Sequence, residues 1–484
     1  MPLTFFKSDE SFQNKLRHGR AGALATIEML NRHGHDFREF ERGALSSRIW
    51  RDIKRKQFRL PDLICIRCGQ SCEVRTKALP ELSMSHSESN AERAWDYNCR
   101  NDDWIAFPVV DPGSYQLRVP VMPVSTIGEF RRTQSQVKES ARKSAEEGAE
   151  LRLVWKVSVA KVAGRINAVD GGNIKITPDD GKGIRRVGNR VLEPWVAVGD
   201  QVVPGQIVAS LVKPVKRLSC QSELKVKDTR ALVSSRHVRD RYAGWRIVRL
   251  RSLDGLDSDA LSVIKDEHEE LLPRIEAATY LGQRGNKDSF DFFSTTLTSG
   301  HAPEQLEVLL CLREIADPRA TRILRGIMLD NQRVTELRAA SAWCLGQHPG
   351  ADTREALLSA LLSDVPDVLR DVAFALSRDP ELSQPDILQR LASLRGQQMP
   401  GWSLALLKSG QASLDVLLKA LGHGFSPLWA AFVLGRMERE LNEEEYRKLE
   451  SRHPQVAFAA RALRETLNSW VLPYSDPKYQ YDWE

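Results

Sequence analysis

Cysteine is scarce in this chain: seven in 484 residues, an odd number spread thinly. That excludes the dense disulfide framework of a small secreted domain, and a reducing cytoplasm is the expected setting. Long apolar runs are missing as well. No stretch approaches the roughly 20 residues that cross a bilayer, so no membrane association is expected. The opening Met1-Pro-Leu-Thr-Phe-Phe-Lys-Ser-Asp-Glu10 has no apolar run with a cleavage site and does not read as a signal peptide. Acid is short in two places. Residues 1–60 carry 13 Lys/Arg against 7 Asp/Glu, and residues 213–251 carry 12 against 3, within a net charge of only +6. The remainder is therefore acidic, and a layout of this kind suits a polyanion partner for the first half. A solvated basic surface is the alternative reading.

What is present is ordinary for a folded protein: 42% hydrophobic and 28% charged residues, in a length that implies two to four domains. Phe12, Leu16, Ala23, Ile27 and Leu30 recur at helical spacing and predict a helix over 10–33, stopped by Gly34. A second helical piece is expected over about 44–55. Leu60 to Lys77 reads as two strands around a turn at Cys68-Gly69. Residues 80–93 are Ser-rich and read as irregular, Trp104–Val110 as a further strand, and 126–152 as an exposed helix linking domains. Short valine and isoleucine runs broken by glycines make 153–252 a small all-β module that includes the basic segment, with 216–252 adding strands. From 253 to 470 the pattern is helical and recurring, followed by a tail over 471–484.

The recurrence has a shared outline. Ala277-Ala-Thr-Tyr-Leu-Gly282, Ala339 to Gly346, Val372 to Ser377 and Ala430 to Gly435 repeat it, at intervals that fit a unit of about 30 residues, sometimes counted twice. Each unit is two short helices that cannot bury their apolar faces alone, so neighbours stack into an α-solenoid. The pattern resembles HEAT-like repeats, which implies a surface for a protein partner. Val198-Gly-Asp-Gln-Val-Val-Pro-Gly-Gln-Ile-Val-Ala-Ser210 resembles the closing turn of barrel-sandwich hybrids. The carrier lysine of such domains has no match here, since the neighbours of Lys182 differ, and the module reads as structural.

Chemistry concentrates in Arg59-Leu-Pro-Asp62 and Glu73-Val-Arg75-Thr-Lys77. Side chains alternate along a strand, so Glu73, Arg75 and Lys77 share one face. A turn at Cys68-Gly69 sets Asp62 opposite Arg75. Two carboxylates suit Mg²⁺ or Mn²⁺, and a nearby lysine suits the attacking water or the charge that develops on phosphate. The segment resembles the PD-(D/E)xK nucleases, whose core is a helix, a strand carrying Pro-Asp and a next strand carrying acid-x-Lys. The resemblance covers roughly residues 10–110. It implies an α/β restriction-endonuclease-like domain over 1–125, phosphodiester hydrolysis of DNA, and a role in bacterial defence or restriction. The position two after Glu73 is Arg75 rather than lysine, and arginine does not readily accept a proton. Lys77, about 7 Å further along the strand, is the expected substitute. The helix acid often seen in that family has only Glu28 as a candidate, apart from Glu10 at the helix start.

Cys65-Ile-Arg-Cys68-Gly resembles a zinc knuckle. Cys72 is expected to face Cys65 across the hairpin, with Cys99 and His86 as candidate fourth ligands. Small buried thiols and a redox pair are the competing readings, because a second Cys-x-x-Cys is missing. Cys220, Cys311 and Cys344 read as core or incidental, and His33 and His35 as a helix end. Ser83-Met-Ser-His86 lacks the acid that a nucleophile and base would need. In the basic segment, Arg239, Arg241, Arg246 and Arg249 are the expected phosphate contacts. The sequence reading is a metal-dependent DNA nuclease with a partner-binding or regulatory solenoid. Its rival is a non-catalytic nucleic-acid-binding adaptor with a degenerate nuclease fold.

Overall fold

The structure is a computed structural model that describes residues 9–42, 60–87, 90–139, 150–220, 222–363, 365–379, 381, 399–437 and 439–465. They fall into two compact units, one running through Arg251 and one from Ser252. The helix expected at 44–55 and the tail at 471–484 lie outside the described residues.

The first unit opens with α1 (Asp9–Arg32). Its buried seam is made of small residues, Gly22, Ala23 and Thr26, with Leu30 following at helical spacing. Gly34, at φ +83°, ends the helix in a conformation that suits glycine. The chain then enters a five-stranded mixed sheet. In spatial order it holds β1 (Phe37–Glu39), β2 (Leu63–Cys65), β3 (Ser71–Val74), a strand at Trp104–Ala106 and one at Val124–Thr126. We label β4 the strand Leu82–Ser87, β5 Trp104–Ala106 and β6 Val124–Thr126. Only β3 and β5 run parallel; the other neighbours are antiparallel.

Alternation divides this sheet between two cores. Leu63, Cys65, Cys72, Val74, Trp104 and Ala106 pack with Ala23 and Leu30 of α1. Ile105 points the other way, into a cluster with Phe107, Phe130, Trp95 and Trp155. The rings there meet edge-on, Phe130 and Trp155 at 4.8 Å and Trp95 and Trp155 at 5.7 Å. Such pairs add about 0.5–1.5 kcal/mol beyond area burial.

Two segments differ from expectation. Residues 82–87 are a strand: β4 pairs antiparallel with β8 (Glu150–Trp155), which also pairs with β7 (Gln136–Glu139). The serines hide the strand, because Ser83 and Ser87 are buried along with Leu82 and Met84. The expected linker helix is accordingly only α2 (Ile127–Arg132), capped by Thr126, and the chain then extends into β7. The all-β module is present, with seven short strands, β9 to β15, from Val157–Val159 to Ile207–Ser210. They form two small sheets over one core of Ile166, Ile174, Ile176, Val202 and Val208. Its strands do not continue past 216. Residues Val226–Val233 (α3) and Val238–Leu250 (α4) are helices, and α4 buries Tyr242, Trp245, Ile247 and Val248. Trp245-Arg-Ile-Val-Arg-Leu is rich in strand-type residues, but every residue from Tyr242 to Arg249 is buried, so periodicity does not discriminate.

The second unit is a helical repeat region, from Asp257–Lys265 to Pro454–Glu465. Helices Leu271–Gln283, Ala302–Leu312, Thr335–Leu345, Pro366–Ser377, Met399–Lys408, Pro427–Arg436 and Pro454–Glu465 stack in succession as one layer. The intervening helices form the second layer. The recurring alanines Ala277, Ala340, Ala373 and Ala431 are fully buried in the seams. The glycines of the outline mark close approach. A Cβ on Gly435 would lie 2.7 Å from the Ala460 carbonyl oxygen, and one on Gly346 would lie 3.2 Å from Ala375 Cα. Among the described residues, no helix is long and apolar enough to cross a membrane.

Candidate active site

The β2–β3 hairpin carries the acidic residues on the sheet face opposite α1. Leu63 pairs with Cys72 and Ile64 with Ser71. Continuing that register sets Asp62 across from Glu73. The turn occupies 66–70, longer than the two-residue turn expected, and Cys65 faces Gln70 through a 2.7 Å backbone bond. Two sequence expectations shift by two residues: Asp62 is opposite Glu73 rather than Arg75, and Cys72 is opposite Leu63 rather than Cys65.

Arg75 pairs with Glu73. Its Nη2 lies 3.0 Å from Oε1 of Glu73 and also donates to the Trp95 carbonyl at 3.2 Å. Glu73 and Asp62 both raise the Arg75 pKa against the burial that would lower it. Glu73 is buried and Asp62 half-buried. The Val74 N–H donates to Asp62 Oδ2 at 3.0 Å. On the other face of the strand end, Thr76 donates from Oγ1 to the Gly19 carbonyl of α1 at 3.2 Å. Alternation thus separates Thr76 from Arg75 and Lys77.

Lys77 continues the row into a second group. Its Nζ donates to Ser83 Oγ at 3.1 Å, Ser83 Oγ donates to Glu81 at 2.8 Å, and Arg152 pairs with Glu81. Burial pulls the Lys77 pKa down to about 8; Glu81 opposes that, while Arg75 and Arg152 add to it. Glu81 and Arg152 are not singled out by the sequence, and Ser83 is read there only together with His86. Glu81 stands four residues beyond Lys77, and Arg152 arrives only through the β4–β8 pairing, which no local pattern announces. Glu28 is exposed and pairs with Arg32 on α1.

Structure reassigns the basic segment. Arg239 is bidentate to the buried Asp103, at 2.6 and 2.8 Å, and also reaches Ser71 Oγ at 3.2 Å. Arg246 and Arg249 are each 3% exposed, and Arg246 donates to the Glu39 carbonyl. Arg241 donates to the carbonyls of Ser235 and Arg236. These four do not form the exposed row that tracking phosphates requires; Arg239, Arg241 and Arg246 bond to groups outside the helix. Their spacing in an amphipathic segment looks the same in both cases.

The cysteines also regroup. Cys65 and Cys68 meet His35 and Cys220, with ligand atoms all within 4.8 Å of one another. Cys72 is buried in the α1-facing core, and Cys99 lies among Glu73, Asp103 and Arg239, its thiol pushed up by burial. Neither joins the cluster, nor does His86 on β4.

No family model matches the chain, and no curated protein does. Solved structures that match include one from the complex of CpcE and CpcF of phycocyanin lyase from Nostoc, at 14% identity and TM-score 0.27, covering 50% of this chain and 96% of that one. Another is YibA of E. coli, at 14% identity and TM-score 0.29, covering 50% and 93%. Likeness at this level assigns neither fold nor function.

Proposed function

We propose that the first unit is a metal-dependent nuclease acting on DNA, with its centre at Asp62, Glu73, Arg75 and Lys77, and that the helical repeats serve as a partner-binding or regulatory scaffold. The observation that supports the reading is the hairpin register, whose continuation sets Asp62 across from Glu73, with Arg75 paired to Glu73. A helix, a Pro-Asp strand and an acid-x-cation strand follow in the order expected of a PD-(D/E)xK fold. The donor set fits a hard divalent ion: the Asp62 and Glu73 carboxylates would hold Mg²⁺ or Mn²⁺, each oxygen able to accept more than one bond. When bound, the ion would supply Lewis-acid polarisation and charge neutralisation at a phosphate.

The protein's own groups divide the remaining work. Arg75 keeps its charge at any working pH and orients Glu73. Lys77, with its pKa near 8, holds a usable fraction of neutral amine at neutral pH and can accept a proton from the attacking water. Ser83 orients the Lys77 ammonium. The test is incubation of the full chain with DNA and Mg²⁺ or Mn²⁺. Cleavage that chelator abolishes is the expected result. A chain that binds DNA without cutting any tested form favours the adaptor reading.

A further inference from the structure

We propose that His35, Cys65, Cys68 and Cys220 form a structural zinc site that fastens three distant chain segments. The four ligand atoms lie within 4.8 Å of one another. A tetrahedron with Zn–S of about 2.3 Å has edges of about 3.8 Å, so the cluster needs only a slight closing. Three thiolates and an imidazole form a soft set that selects zinc, and four protein ligands make a closed site.

The surroundings are those of a ligand set. Nε2 of His35 lies 2.9 Å from the Leu218 carbonyl oxygen. A carbonyl only accepts, so that nitrogen carries the proton and Nδ1 keeps its lone pair. Nδ1 is the atom that faces Cys68 Sγ, at 3.5 Å. An outer-shell carbonyl that fixes the tautomer in this way is the usual partner of a metal-binding histidine. The Asp36 N–H points at Cys65 Sγ at 3.4 Å, which favours a thiolate. Gly69, at φ +79°, closes the knuckle turn and donates to the Cys65 carbonyl at 2.8 Å. The Cys220 N–H donates to the His33 carbonyl at 3.0 Å and the Leu224 N–H to the Arg67 carbonyl at 2.7 Å, which hold this part of the chain. The ligands come from the turn after α1, the β2–β3 hairpin and the chain before α3. Sequence separations of 30 and 152 residues hide this set from any spacing rule. Zinc here would fix the turn of the hairpin whose strands carry the acids, and the site stands whether or not the chain cuts DNA.

The test is the metal content of full-length protein purified under reducing conditions, read by mass spectrometry, with Co²⁺ substitution read by absorption. The proposal expects one zinc per chain and a cobalt spectrum with thiolate charge-transfer bands and intense tetrahedral d–d bands. Cys220→Ser should lose most of the zinc, and Cys99→Ser should keep it. His35→Cys provides four thiolates, so it should keep the zinc and shift the cobalt bands, a readout that does not depend on a variant that unfolds. Reduced protein that holds no zinc and takes up no cobalt overturns the proposal. So does full zinc occupancy in Cys220→Ser, or a Cys65–Cys68 disulfide in freshly isolated protein.

Discussion

The Val74 N–H donates to Asp62 Oδ2 at 3.0 Å, tying the residue before β2 to the last residue of β3. That bond anchors one carboxylate beside the strand that carries the other. It also dictates how the site should be probed. Asparagine keeps an oxygen that can accept from Val74 and loses only the charge, whereas alanine removes the bond as well. Glu73→Gln is less clean, because it leaves the half-buried Arg75 without its ionic partner at 3.0 Å.

Lys77 sets the pH dependence. Burial brings its pKa to about 8, below its ordinary value, and the form that accepts a proton is the neutral one. The neutral fraction grows as pH rises, so cleavage should climb about tenfold per pH unit below about 8 and level off above it. Lys77→Met should lose about 100-fold or more and flatten the profile. A rate that falls across that window would assign the lysine a purely cationic role.

Gly22 is the contact that lets α1 lie on the sheet. A Cβ there would stand 2.0 Å from Thr76 Oγ1 and 2.8 Å from Thr76 Cβ. Gly22→Val should cost about 1–3 kcal/mol through overpacking, seen as a lower unfolding midpoint in denaturant. Gly19→Ala, where nothing lies within 4 Å, is the control and should leave the midpoint within about 0.5 kcal/mol or raise it.

Arg239 is a structural cation here. Removing it strands Asp103, which is 3% exposed. Arg239→Ala should destabilise the first unit by about 3–5 kcal/mol. Asp103→Asn in the same chain should recover part of that loss. Weakened DNA binding at unchanged stability would return Arg239 to the phosphate-contact role.

Ala340 lies in a seam of the repeat region with no exposed surface. Ala340→Glu puts an unpaired charge there and should cost several kcal/mol. Limited proteolysis should then digest the repeats while a fragment ending near Arg251 survives. Loss of both together would show that the two units unfold as one.

Legibility followed the range of the interactions. Helix α1, the hairpin, the β module and the repeats announce themselves through local periodicity, and each is present. The serine-bearing strand β4 did not, because Ser83 and Ser87 occupy buried positions where apolar residues are expected. Helix α4 did not, because apolar residues and tethered arginines surround it on all sides. At the candidate site, the spacing places Asp62, Glu73 and Lys77 along one hairpin, but the register differs by two residues because the five-residue turn has no local signature beyond Gly69. Arg152, His35 and Cys220 reach their partners through tertiary pairing alone, and spacing carries no trace of that.

The most direct measurement is the rate of Mg²⁺-dependent DNA cleavage by full-length wild-type protein and Asp62→Asn, with circular dichroism and unfolding midpoint measured on the same samples. The account predicts a drop of about 100-fold or more for Asp62→Asn, by the measure of losing one charge-stabilising group, in a protein with an unchanged spectrum and midpoint. Cleavage by Asp62→Asn at the wild-type rate would contradict it and place the chemistry elsewhere.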